Sequence, residues 1–412
     1  MSIFDFFTPA KPLPAGVLHY ESPPETDTPF RLHLRMHADG SGLLIINAAT
    51  ILHLNPTATE YAYYFIKGVS PEEAAKRVSK RYRVKKERAL EDFHLLIERI
   101  GTLVRTEDLD PVSYLGFERV PPHAEGLTAP LRLDCALTYN LPKGMSADDA
   151  PVKRVDRELN TAEWTSILDR AWDAGIPHVT FTGGEPTLRD DLPELIAHTE
   201  SLGMVSGLLT DGLKLADKKY LNTLLQTGLD HLLFILYPDN EKSWQALEIV
   251  LPEDLYTTVH LTINEENAFK VANIIEKLSN LKINGLSLSA DSAHAEILQT
   301  ASDQAANAGV TLTWNLPVPY SARNPVELET EKENNPAGAG YAWFYIEPDG
   351  DVLPAQGMSN HILGNALKDD WSEIWKNRSK QNFALSKIFP ARKLSFQHSH
   401  RNLGFQKKTR SK

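Results

Sequence analysis

Cysteine is almost missing from this chain: Cys135 is the single one in 412 residues. No disulfide can close within the chain, and no site that needs several thiolates can be built from it. Long apolar runs are missing as well. No stretch reaches the ~18 consecutive apolar residues that a bilayer span requires, which excludes a membrane role of that kind. The opening residues, MSIFDFFTPAKPLP, hold no basic region leading into an apolar run, so no secretory signal is expected and the cytoplasm is the expected compartment. Phosphate loops, zinc motifs and Ser/His/Asp arrangements are also not visible.

What is present is an ordinary globular composition, 42% hydrophobic and 24% charged, with length for two or three domains. The net charge of −11 is uneven. Lys376 to Lys412 carry eleven basic residues and no acidic one, which leaves 32 basic against 54 acidic residues elsewhere, a net of −22. So acidic a body is a poor match for a polyanion, and nucleic acid is not the expected partner. Residues 379–412 read as a basic, solvated tail, with an anionic surface or the acidic body as alternative contacts.

Along the chain, residues 1–28 are Pro-rich and aperiodic and read as a loose leader. Residues 30–36 and 43–47 flank Ala38-Asp39-Gly40-Ser41-Gly42, a hairpin signal. Three helices should follow: Thr57–Lys67 closed by Gly68, one capped by Ser70 with Pro71 in its first turn, and Lys85–Ile100 ended by Gly101. Together, residues 29–105 have a winged-helix-like layout. Residues 106–128 read as a linker. From 129 to 320, strands alternate with helices: Leu131–Tyr139, His178–Thr182, Val205–Thr210, His231–Tyr237, Thr258–Ile263, Gly285–Ser289 and Val310–Pro317 are the strands. Repeated βα units imply a parallel sheet, and about six units are too few for a closed eight-stranded barrel. Residues 335–378 add a hairpin, Tyr341–Glu347 with Asp351–Leu353, and a helix over Leu367–Asn377.

The sharpest chemical signal is Phe181-Thr182-Gly183-Gly184-Glu185-Pro186-Thr187-Leu188 at the end of a strand. In a parallel sheet that end faces the ligand, paired glycines admit a close backbone approach, and a carboxylate can hold an ammonium group. A plain Gly-Gly turn with Glu185 solvated is the alternative. This GGEP string in a βα chain resembles the radical S-adenosylmethionine (radical SAM) superfamily. Leu209-Thr210-Asp211-Gly212 after the third strand resembles that family's frequent Thr-Asn-Gly, with Asp211 where Asn is usual. The resemblance implies a partial (β/α)6 barrel. It also implies a cofactor site at Gly183, Gly184, Glu185, Pro186, Thr210 and Asp211, where Glu185 would bind the amino group of S-adenosylmethionine.

Two flanking segments carry further resemblances. Leu54-Asn55-Pro56-Thr57-Ala58, Gly68 through Glu73, Arg81-Tyr82-Arg83-Val84 and Asp92-Phe93 resemble PqqD-type domains, which implies a leader-peptide partner. Ala342 through Pro354, Leu363-Gly364-Asn365 and Trp371-Ser372-Glu373-Ile374-Trp375 resemble the SPASM-type extension of peptide-modifying members.

The chain departs from the family where the cluster should sit. Active members have Cys-x3-Cys-x2-Cys after the first strand to hold a 4Fe–4S cluster. Aligned on Thr138-Tyr139, those positions fall on Leu141, Met145 and Asp148, and Cys135 lies inside the strand as a small hydrophobe. A 4Fe–4S cluster is therefore expected to be absent, and S-adenosylmethionine binding remains open. A replacement metal at Asp148, Asp149 and nearby His residues has no characteristic spacing behind it. The leading expectation is a pseudo-enzyme or peptide-binding accessory, partnered by a peptide or an active relative. Alternatives are an enzyme with non-radical chemistry, a working radical SAM enzyme, and a winged-helix regulator using Lys76, Arg77, Lys80 and Arg81. Trp314, Pro317, Pro319 and Tyr320 could line the barrel mouth. His178 and His231 read as structural, and His398-Ser399-His400 is a weak metal pattern.

Overall fold

The computed structural model describes residues 12–48, 50–106, 109, 114, 127–143, 154–290, 294, 296–313 and 338–380. The chain divides into two compact units, one centred on residues up to Thr128 and one on residues from Ala129.

The first unit is a four-stranded antiparallel meander, β1 (Gly16–Glu21), β2 (Arg31–Met36), β3 (Gly42–Ile46) and β4 (Thr50–Leu54), with helices α1 (Pro56–Ile66), α2 (Pro71–Tyr82) and α3 (Lys86–Arg105). Leu34 pairs with Leu44 across the β2–β3 hairpin. Its turn is tied by Asp39, whose carboxylate accepts from the Ser41 N–H at 2.9 Å and its hydroxyl at 2.7 Å. Asn55 caps α1 by accepting from the Ala58 N–H at 2.9 Å, and Ser70 caps α2 by accepting from the Glu73 N–H at 3.4 Å. Pro56 and Pro71 sit where a missing N–H costs nothing.

Two sequence expectations change here. The stretch read as an aperiodic leader contains β1, whose Leu18 and Tyr20 pack on the core beside Leu32 and Leu34. Gly101 does not end α3. Ile100 and Val104 continue its apolar stripe into the core, which outweighs the ~1 kcal/mol that a helical glycine costs.

The second unit alternates strand and helix in chain order: β5 (Arg132–Thr138), α4 (Thr161–Asp173), β6 (His178–Gly183), α5 (Leu192–Leu202), β7 (Val205–Thr210), α6 (Lys218–Gln226), β8 (His231–Ile235), α7 (Glu241–Val250), β9 (Tyr256–Ile263), α8 (Val271–Asn280), β10 (Gly285–Ala290) and α9 (Ile297–Asn307). β5 to β10 are parallel neighbours throughout, the α/β partial-barrel arrangement. A seventh strand over Val310–Pro317 is not formed among the described residues. Leu312 makes one parallel bridge to Leu286, and the segment from Trp314 lies outside the described residues.

The C-terminal hairpin joins the same sheet. β11 (Trp343–Ile346) runs parallel on the outer edge of β5, followed by β12 (Asp351–Leu353) and β13 (Gly364–Asn365), both antiparallel. The last helix, α10, is Trp371–Lys380 rather than starting at Leu367. Leu367 to Asp370 form the turn before it, where the Asp369 carboxylate accepts from the Asn365 N–H at 2.7 Å.

Candidate functional site

The loops after β6 and β7 meet at the C-terminal ends of their strands. At the end of β6 the backbone must pass very close to the end of β5. A Cβ on Gly183 would lie 2.1 Å from the Thr138 carbonyl oxygen, and one on Gly184 would lie 2.3 Å from that of Asn140. Gly183 also sits at φ +132°, a backbone region that L side chains rarely adopt. The approach is fixed by hydrogen bonds from the Gly184 N–H to Thr138 O at 2.7 Å and from the Glu185 N–H to Asn140 O at 2.9 Å.

Pro186–Leu188 then form one 3₁₀ turn. Glu185 caps it, its Oε1 accepting from the Thr187 N–H at 2.9 Å and the Thr187 hydroxyl at 2.6 Å. Arg189 anchors the far side. It grips Asp191 through two hydrogen bonds of 2.8 and 2.7 Å and donates to the carbonyls of Leu137 at 3.0 Å and Leu159 at 2.9 Å.

The β7 loop supplies the other half. The Thr210 hydroxyl donates to Glu185 Oε1 at 2.7 Å, and the Asp211 N–H donates to Glu185 Oε2 at 2.8 Å. Asp211 Oδ1 accepts from the Leu213 N–H at 2.9 Å. Gly212 packs over Phe234, whose ring would stand 2.0 Å from a Cβ there. Lys214 does not pair with either carboxylate. Its ammonium donates to the Thr187 carbonyl at 2.6 Å and lies 4.4 Å from the centroid of the Tyr220 ring.

Glu185 and Asp211 are 3% and 4% exposed. Burial, and then the charge of Asp211, push Glu185 up to about 7, while burial also raises Asp211. The six residues singled out from the sequence thus lie on two adjoining loops, with Glu185 bonded to Thr210 and Asp211. Thr187, Arg189, Lys214 and Tyr220 complete the surroundings. Thr187 lies within the string singled out above without a role assigned to it, and nothing in the sequence marked the other three, since their roles depend on contacts between loops.

Other candidates lie elsewhere. Cys135 is fully buried in β5, and burial pushes its thiol up. Leu141 packs against Ala136, Tyr139, Tyr345 and Leu353. Met145, Asp148, Asp149, Trp314, Pro317, Pro319, Tyr320 and the tail histidines lie outside the described residues. His178 and His231 meet through their Nε2 atoms at 3.0 Å, and burial lowers both. A side chain on Gly207 would strike the His231 ring, so the intervening strand makes room for that pair.

Two buried polar groups carried no sequence signal. Below the end of β5, Tyr139 donates to Glu347 at 3.0 Å and Arg154 does so at 2.5 Å. Across β9 and β10, His260 bridges the hydroxyls of Ser287 at 3.0 Å and Ser289 at 3.1 Å.

No family model matches the chain. It is 27% identical over 285 residues to the PqqA peptide cyclase of Xanthomonas euvesicatoria pv. vesicatoria, covering 60% of this chain and 74% of that protein. It is 26% identical to the PqqA peptide cyclase of Streptomyces rochei, again covering 60% of this chain and 76% of the other. Its fold matches Streptococcus suis SuiB bound to S-adenosylmethionine with a TM-score of 0.58, at 17% identity and covering 84% of this chain and 86% of SuiB. These similarities support the resemblance of this chain to the radical SAM superfamily. SuiB has also been captured with its precursor peptide SuiA, and that structure matches with a TM-score of 0.56 at 14% identity. What the structural comparison shows in common is the α/β fold. No helix among the described residues is long and apolar enough to cross a membrane.

Proposed function

We propose that this radical SAM-like chain works without a 4Fe–4S cluster, as a peptide-binding accessory or pseudo-enzyme of peptide modification that keeps a site for S-adenosylmethionine. The observation that carries this reading is the placement of the one cysteine. A thiolate-held cluster needs three sulfur ligands, and Cys135 is buried within β5 with its thiol held protonated. The residues of this chain therefore do not fit that cluster. Among the described residues, no three His, Cys, Asp or Glu side chains group as a substitute metal site.

The donor set around Glu185 suits the amino-acid end of S-adenosylmethionine. A buried carboxylate with no cationic partner among the described residues is a place for an ammonium group. Gly183, Gly184 and Pro186 would form the backbone wall, and Thr210 with Thr187 would orient the Glu185 carboxylate. The peptide site is placed on the first unit, as the PqqD-like resemblance implies. There β4 pairs only with β3 among the described residues, leaving an edge that an extended peptide could join. The peptide cyclase relatives and the SuiB–peptide complex support a peptide partner.

Two measurements test the reading. Calorimetry with S-adenosylmethionine should show binding that Glu185→Ala weakens about tenfold or more, the scale of one charge-assisted hydrogen bond. Equal affinity in both proteins would remove the role of Glu185. Anaerobic reconstitution with iron and sulfide should leave the protein colourless; a bound cluster that cleaves S-adenosylmethionine would overturn the cluster-free assignment.

A further inference from the structure

We propose that Glu185 and Asp211 form a two-carboxyl receptor for one primary ammonium group, holding a single shared proton that the ammonium displaces on binding. The inference deepens the proposed function and rests on its assignment of S-adenosylmethionine to this site.

The hydrogen-bond inventory carries the case. Glu185 Oε1 accepts from Thr187 N–H, the Thr187 hydroxyl and the Thr210 hydroxyl, and Oε2 accepts from the Asp211 N–H. Every one of these donors is neutral. Asp211 receives one backbone N–H, from Leu213, and its own N–H is the donor to Glu185 Oε2, so the two carboxyls belong to directly hydrogen-bonded residues. Two carboxylates on directly hydrogen-bonded, buried residues repel each other, and one retained proton removes that repulsion. Both are also nearly sealed from water, where two unscreened negative charges side by side are strongly unfavourable.

The surrounding charged and titratable groups do not relieve this. From the β6 loop, Arg189 is held by Asp191 and two carbonyls, and Asp190 adds negative charge. Lys214, on the turn after β7, is spent on the Thr187 carbonyl and the Tyr220 ring. From α6, Tyr220 presents a buried hydroxyl with no hydrogen-bond partner, raised by burial and then by Glu185 and Asp190. The β5 end contributes only backbone, through the Asn140 carbonyl. Among the described residues no cation pairs with these two carboxyls, so the pair must hold a proton or receive a positive ligand. An Asn at position 211 would offer a neutral amide and need no such proton; Asp211 adds the extra charge.

The exchange balances simply. The singly protonated pair carries one negative charge; an incoming ammonium, itself keeping its three protons, takes the place of the shared proton, which leaves to solvent. No bond to carbon or sulfur changes. Below the pH where the pair releases its proton, affinity should fall about tenfold per pH unit, the slope of one linked proton.

The test uses the full chain and S-adenosylmethionine itself. Calorimetry at one mildly acidic pH, in buffers of different ionisation enthalpy, should show release of one proton per ligand bound by the wild type. Asp211→Asn should bind with little proton release and a flatter pH profile. Infrared spectra of the ligand-free protein supply a second readout: a protonated carboxyl band at neutral pH in the wild type, lost in Asp211→Asn and in Glu185→Gln. Binding by the wild type without proton release overturns the inference while leaving the proposed function intact. A missing protonated band in the ligand-free wild type overturns it as well. A wild type that shows the band but binds no S-adenosylmethionine at any pH overturns the ligand assignment of the proposed function, and the displacement step with it.

Discussion

Three glycine substitutions in the second unit separate collision from backbone strain at the candidate site. Gly184 has an ordinary φ, but a Cβ there would sit 2.3 Å from the Asn140 carbonyl oxygen. That backbone must retreat by most of an ångström, which stretches the bonds Gly184 N–H to Thr138 O at 2.7 Å and Glu185 N–H to Asn140 O at 2.9 Å. Losing two buried hydrogen bonds costs about 2–4 kcal/mol. Gly309 provides the contrast: its φ is +73°, and nothing lies within 4 Å of an added Cβ. Gly309→Ala should cost only the left-handed penalty of about 1 kcal/mol. Gly183 combines both defects, at φ +132° and 2.1 Å from Thr138 O, so Gly183→Ala should be the most damaging. Urea unfolding followed by tryptophan fluorescence gives the ranking, and affinity for S-adenosylmethionine should fall with Gly184→Ala but not with Gly309→Ala. If Gly184→Ala is no more destabilising than Gly309→Ala, the close approach of the β5 and β6 ends is not the constraint described.

Other expectations follow from single groups. Cys135, buried with its thiol raised, should react with iodoacetamide only as fast as the protein unfolds; rapid alkylation of native protein would contradict its placement in β5. Glu347→Ala should destabilise the second unit by about 1–3 kcal/mol, because it removes the buried acceptor shared by Arg154 and the Tyr139 hydroxyl, which keep their contacts to the Ser359 carbonyl and the Tyr345 hydroxyl, while Glu347→Gln should cost less; equal losses in urea titrations would discount the ion pair. Burial depresses His260 to about 4 from 6.5, so the unfolded chain binds the extra proton and stability drains as pH falls through that window, by about 3 kcal/mol in all. His178 and His231 act in the same direction. His260→Asn should therefore flatten the acid limb of a stability–pH curve whatever its absolute cost, and an unchanged slope would refute the assignment. Glu185 has the opposite sign: raised to about 7, it favours the fold on the acid side and loses that contribution as pH climbs from 4.5.

The parts of the fold that depend on local chemistry were readable from residues alone. Asn55-Pro56 and Ser70-Pro71 start their helices because capping and proline geometry act within one turn. The six parallel strands are legible as short, largely apolar runs between helical periods. The errors arose where tertiary packing decides. β1 gains its order from β2 and the core under Leu18 and Tyr20, and α3 runs through Gly101 because Ile100 and Val104 are buried. The C-terminal hairpin read as an appendage, and no residue pattern could show that Trp343–Ile346 pairs with β5 across about 200 residues of chain. At the site, the glycines and Glu185 were legible as a string. The use of Thr187 and Thr210 as donors to one carboxylate oxygen was not, because it exists only after two loops meet.

The two ends of the candidate site are built in opposite ways. At the β6 and β7 loops, four neutral donors still converge on one buried carboxylate, at a desolvation cost that a protein with no use for the charge could avoid with an apolar side chain. Near the end of β5 the described side chains bond and pack within the protein; of the three positions where the family resemblance places sulfur ligands, Leu141 is the described one. Thr138 and the Tyr139 N–H both bond to Glu158, at 2.7 and 3.0 Å, Tyr139 bonds to Glu347, and Leu141 packs on an apolar cluster. Decay of an idle pocket would blunt both ends alike. The contrast is the one the proposed function requires: a buried carboxylate that can receive an ammonium ligand, beside a strand end whose described side chains bond within the protein.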